Sequence, residues 1–79
     1  MTLDLLRLKA ERIAKGLTQG ELAAKLGWKR PKYAKRENGI VAIGADELAL
    51  IVDALGFERK EMYIFFTHIV DNRERKIIT

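Results

Sequence analysis

The sequence predicts an all-α protein, with five short helices in one compact domain and a short C-terminal tail. Three observations carry this. Glycine punctuates the chain at Gly16, Gly27, Gly39, Gly44 and Gly56. The segments between these joints have helical length and carry apolar residues three and four apart. Helix start and stop signals stand at several of the joints. The domain is expected to span residues 1–66, with 67–79 as a tail or dimerisation arm.

The first helix is expected from about Leu3 to Lys15, with Leu5, Leu8 and Arg12 on one face and Ile13 beside it. Gly16 can end it in a left-handed conformation. The second is expected over Gln19–Leu26. Thr18-Gln19-Gly20-Glu21 has the capping-box form, in which the Thr18 hydroxyl accepts from the Glu21 N–H and the Glu21 carboxylate accepts from the Thr18 N–H. The third runs from about Arg30 to Asn38. Pro31 fits its first turn, where a missing N–H breaks no intrahelical bond. Trp28 and Tyr33 are spaced for a hydrophobic staple across Lys29. Lys29 is a poor N-cap, because its side chain has no acceptor. A local cost with no structural gain is often found at a functional position.

The fourth helix, about Ala45 to Leu55, carries a full apolar stripe in Leu48, Ile51, Val52 and Leu55. A short fifth fits Arg59–Ile64, with Glu58 and Glu61 favourable at its N-terminal dipole. Beyond it, Ile64–Val70 and Lys76–Thr79 are apolar and β-branched around Asp71-Asn72-Arg73-Glu74, which reads equally as a hairpin or as an irregular arm.

Size and composition narrow the function. A chain of 79 residues holds one domain, which buries only about 60% of its unfolded surface. Such domains lean on disulfides, metals or oligomerisation. Cysteine is absent and the only histidine is His68, so disulfides and zinc sites are not expected, and dimerisation remains. No apolar run approaches the length of a membrane span, and no signal-peptide pattern opens the chain. A cytoplasmic setting is expected. Catalysis finds no support either: there is no phosphate-binding glycine loop, no His–Glu–His spacing, and no Ser or Cys beside a base. No cofactor or small-molecule ligand is implied.

The net charge is +4, and its distribution matters more than its size. Lys29, Arg30, Lys32, Lys35 and Arg36 lie within one short stretch, opposed there only by Glu37; the other ten basic and ten acidic residues cancel. A focused basic patch attracts polyanions. It falls on the second member of a helix pair joined at Gly27, the arrangement of a helix-turn-helix unit. Such a unit needs a small residue where its helices cross, which Ala23 supplies, and a turn residue tolerating positive φ, which Gly27 supplies. Leu22, Leu26, Trp28 and Tyr33 are spaced to hold the pair together. The second helix can then enter a major groove.

Ala10-Glu11-Arg12, Gly16-Leu17-Thr18-Gln19, Glu21-Leu22-Ala23, Leu26-Gly27 and Glu37-Asn38-Gly39 together resemble the lambda-repressor and Cro-type helix-turn-helix family, also called the xenobiotic-response-element type. The later Leu48…Ile51-Val52…Ala54-Leu55-Gly56-Phe57 resembles that family's fourth helix. The resemblance covers about residues 5 to 64. It implies a sequence-specific DNA-binding protein, mostly dimeric in the family and often a short phage or bacterial repressor. It further implies that Gln19 touches a phosphate or supports the base-reading side chains. Lys29, Arg30, Pro31, Lys32 and Lys35 fall on the surface that reads DNA, and Asn38 with its backbone meets phosphates beside the groove. Arg12 and Glu37 match a buried ion pair tying the first helix to the third. The sequence departs from the family's pattern at Lys29, where Ser is usual, at Pro31, a common polar reading position, and at Arg36, often aromatic or aliphatic.

Arg30 is the strongest candidate base reader, since its fork can bond guanine O6 and N7 together. Lys35 is a candidate for base or phosphate. Lys29 and Lys32 are expected at phosphates, which position a protein without conveying sequence. Trp28 and Tyr33 are expected in the core. The partner is then double-stranded DNA with a pseudo-palindromic operator. A homodimer is expected through the fifth helix and tail, where Met62, Tyr63, Ile64, Phe65, Phe66, Ile69 and Val70 carry more apolar surface than one small core needs. The competing reading is a protein-interaction module (an antitoxin, anti-repressor or adaptor) on the same fold, though such a module need not place its whole charge excess on the reading helix. Non-specific nucleoid or RNA binding is weaker, because RNA modules present aromatic stacking platforms.

Overall fold

The computed structural model describes residues 2–67. Helices α1 (Leu5–Ala14), α2 (Gln19–Leu26), α3 (Arg30–Glu37) and α4 (Ala45–Ala54) are followed by a 3₁₀ helix at Arg59–Phe65. A minimal antiparallel pair, β1 (Thr2–Leu3) and β2 (Phe66–Thr67), joins the first and last of the described segments, with Leu3 opposite Phe66. The all-α class is borne out.

Helix α1 starts two residues later than the apolar spacing predicts. Asp4 is the reason: its carboxylate accepts the Arg7 N–H at 3.0 Å and so caps the helix. Its own N–H donates to the Phe65 carbonyl at 2.6 Å, which leaves Leu3 in extended backbone against Phe66. Helix α2 has the predicted bounds, and both capping-box bonds form at Thr18 and Glu21, at 3.0 and 2.8 Å. The fifth helix is present but wound as 3₁₀, with Glu61 accepting the Glu58 N–H at 2.9 Å.

The α2–α3 turn closes as predicted. Gly27 has φ 75°, and the next N–H, that of Trp28, donates to the Ala23 carbonyl at 2.8 Å. The same closure recurs after α1 and α4, where Leu17 and Phe57 donate back to Arg12 and Val52. In all three turns the residue after the glycine is apolar and packs on the core. A Cβ at Gly27 would meet no heavy atom within 4 Å, so Gly27→Ala should cost only the strain of the left-handed backbone, about 1–2 kcal/mol. Gly20, inside α2 with its nearest neighbour the Arg30 Cδ at 3.7 Å, should instead gain up to about 1 kcal/mol on replacement by alanine. Thermal melts of the two variants would show opposite shifts.

The core gathers Leu8 of α1, Leu22 and Ala23 of α2, Tyr33 of α3, Leu48, Ile51 and Val52 of α4, then Leu55 and Phe65. The predicted α4 stripe is wholly buried. Ala23 is fully buried in α2, which packs against α3. Of the apolar residues in the fifth helix and after it, Phe65 is fully buried and stacks edge-on against Phe57 at 5.6 Å. Met62, Ile64 and Phe66 are partly buried against the same core, and Tyr63 is 68% exposed. The hairpin expectation is altered at its start: Ile64 is helical, and Phe66–Thr67 pair with the N-terminus. His68, Ile69, Val70 and 71–79 lie outside the described residues.

Candidate nucleic-acid interface

The first turn of α3 is built from Arg30, Pro31 and Lys32. Lys29 occupies the N-cap position without a side-chain cap bond, as its chemistry dictates. Its carbonyl accepts the Lys32 N–H at 3.0 Å, and Pro31 offers no donor. A helix N-terminus lacking an internal acceptor favours an anion. Lys29, Arg30, Pro31, Lys32, Lys35 and Asn38 are all exposed.

Behind this surface lies a buried ion pair. Arg12 donates through Nε and Nη2 to both Glu37 oxygens, at 2.8 and 2.9 Å, and through Nη1 to the Leu17 carbonyl at 2.7 Å. The side chains are 9% and 1% exposed. Burial alone would raise the Glu37 pKa, but the hydrogen bond from Arg12, helped by Tyr33 and Gln19, holds the carboxyl below its ordinary value. The Glu37 hydrogen bond likewise holds Arg12 more firmly protonated. Burial, and then the neighbouring carboxylate, push the Tyr33 phenol well above its usual range.

The pair does not end at Glu37. Gln19, half-buried at the start of α2, donates to Glu37 Oε1 at 3.3 Å and accepts from Arg30 Nη2 at 3.1 Å. A continuous chain, Arg12–Glu37–Gln19–Arg30, thus runs from the centre of the fold to the exposed first residue of α3.

A second cluster forms at the other edge of α3. Trp28 is half-buried, with Lys32 Nζ 4.4 Å and Arg36 Cζ 5.5 Å from its ring centroid. Arg36 also donates to Glu47 at 2.9 Å and to the Lys32 carbonyl at 2.9 Å. The hydrogen bond from Arg36, and a second from the Gly44 N–H, hold the Glu47 carboxyl below its usual range.

The sequence model of the helix-turn-helix family matches residues 8–61, more than half of the chain. The protein belongs to this lambda-repressor/Cro-type family. No curated protein and no solved structure gives a significant match. This helix-turn-helix protein is accordingly a DNA-binding regulator, and no helix among its described residues is long and apolar enough to cross a membrane.

In this helix-turn-helix domain, Arg12 and Glu37 meet as the resemblance implied, and Gln19 and Arg30 meet at the start of α3. Lys29, Lys32 and Lys35 share the exposed surface, and none has a carboxylate partner among the described residues. Arg36 does not join them, because Glu47 offsets its charge and it braces α3 against α4. Asn38 changes in kind. Its N–H, with those of Gly39 and Ile40, closes back onto α3 carbonyls, so only its side chain remains to meet a phosphate. The cation cover on Trp28 was the feature missed: Lys32 and Arg36 are i,i+4 neighbours on α3, but Trp28 lies before the N-cap, so its place beneath them follows from the α2–α3 turn.

Proposed function

We propose that this regulator is a sequence-specific double-stranded DNA-binding repressor, acting as a cytoplasmic homodimer on a pseudo-palindromic operator. The observation that carries this is the surface of α3. Four cations there, Lys29, Arg30, Lys32 and Lys35, have no carboxylate partner among the described residues, while the fifth, Arg36, is neutralised behind them. Arg30 reads guanine, with Gln19 as its support. Pro31 offers only apolar contact, which suits a thymine methyl. Lys29, Lys32 and the Asn38 side chain hold phosphates, and Lys35 meets a base or a phosphate. Residues 1–66 form the DNA-binding domain and 67–79 the dimerisation arm. Tyr63 on the 3₁₀ helix, with Leu6 and Ile13 on the outward face of α1, supplies exposed apolar surface for a partner copy at 68, 81 and 57% exposure. Repression follows by occluding polymerase.

Binding to a DNA duplex measured across a salt series tests the reading. Log affinity should fall linearly with log salt, by about 0.9 for each phosphate neutralised. Binding that is weak and indifferent to salt would instead favour a protein partner for this surface. Sedimentation of the free protein should give a dimer; a monomer at high concentration counts against the homodimer.

A further inference from the structure

Trp28 is the chain's only tryptophan and the residue that closes the α2–α3 turn. Closing that turn needs only an apolar group, as Leu17 shows after α1. An indole adds a broad π face, and this one is only half-buried. Lys32 Nζ lies 4.4 Å from its centroid, well inside cation–π range.

The two cations on the ring are held differently. Arg36 is fixed by the Glu47 carboxylate and the Lys32 carbonyl, with its side chain 16% exposed. Lys32 is exposed and has no carboxylate within ion-pair distance among the described residues. A carboxylate cancels a lysine's charge, whereas an aromatic face orders it and leaves the charge intact. The ring also takes only one side of the ammonium, and the remaining N–H donors stay available.

We propose that Trp28 is a positioning residue that holds the Lys32 ammonium over its indole face, ready for a DNA phosphate. This rests on the DNA-binding reading above. A lysine on a four-carbon stem loses much rotamer freedom when a phosphate fixes it. On Trp28, part of that loss is incurred during folding, so less remains at binding. The charge kept on Lys32 still displaces counterions from DNA.

A double-mutant cycle tests this. DNA affinity is measured for the wild type, Trp28→Leu, Lys32→Met and the double variant, with Trp28→Phe as the conservative replacement and a thermal melt of each. Trp28→Leu should weaken binding about two- to fivefold, the size of one exposed cation–π contact. Trp28→Phe should recover part of the loss, and it keeps the test open if Trp28→Leu fails to fold. In the Lys32→Met background, Trp28→Leu should change affinity little. Lys32→Met should lower the salt slope by about 0.9, while Trp28→Leu leaves it unchanged. Equal losses in both backgrounds, or no loss in either, overturn the inference while wild-type binding stands. A wild type that does not bind DNA removes the inference and the DNA-binding reading together.

Discussion

Arg30→Ala should weaken binding to the protein's own operator by about 1–3 kcal/mol per half-site, and should relax discrimination at one base pair in each. Arg30 is the first residue of α3, exposed, with Nη2 seated on the Gln19 carbonyl oxygen at 3.1 Å. That bond uses one of five guanidinium N–H donors and fixes the plane of the rest. A planar fork meets the two acceptors of one guanine edge in a fixed geometry, whereas a lysine reaches them only from a flexible stem, so Arg30→Lys should lose part of the discrimination while keeping the charge. Gln19→Ala should move affinity in the same direction by less, because it frees the fork without removing it. The measurement is binding to the operator and to its single-base variants. Uniform weakening across all sequences, with a salt slope reduced by about one phosphate, would assign Arg30 to the backbone instead.

Glu37→Ala should be the most destabilising single change, at about 3–5 kcal/mol, with the sequence preference of the folded protein largely intact. The carboxylate is almost fully enclosed and accepts two bonds from Arg12 and one from Gln19. Removing it leaves the Arg12 guanidinium in the interior with only the Leu17 carbonyl. Small domains have about 5–15 kcal/mol in total, so the melting temperature should fall by tens of degrees. The double variant Arg12→Met/Glu37→Leu should recover much of the loss, since no unpaired charge remains. A Glu37→Ala variant that melts like the wild type would refute the role of the pair.

The same carboxylate sets a pH dependence. Its folded-state pKa is depressed by Arg12. Its stabilisation is therefore complete above the unfolded value, about 4.3, and is lost as pH falls through the folded value. Glu47, held down by Arg36, acts in the same direction. The Glu37 share is the difference in acid-induced melting between wild type and the double variant.

Most of the fold was legible because its signals are local. Thr18 and Glu21 mark the start of α2, Gly27 its end, and the Leu48–Leu55 spacing defines α4 without reference to any distant residue. What was misread depends on contacts that periodicity along one element does not reveal. Leu3 fits the apolar period of α1, yet it pairs with Phe66, and Asp4 resets the helix start. Phe65 looked surplus because its burial depends on Phe57 and the β1–β2 pairing, which periodicity does not reveal. In the site, the cations of α3 could be read directly, since charge clustering is a property of the sequence. How they divide could not. Arg36 turns inward because Glu47 of α4 faces it, and Gln19 bridges Glu37 to Arg30 only once α2 has crossed α3.

Selection of binding sites from a random DNA pool, at low and at physiological salt, tests the central claim most directly. A repressor of this kind should return a pseudo-palindromic motif whose half-sites lie about one helical turn apart, with affinity falling steeply as salt rises. Recovery of no motif, with weak binding at both salt concentrations, would contradict it and leave the basic face of α3 to a protein partner.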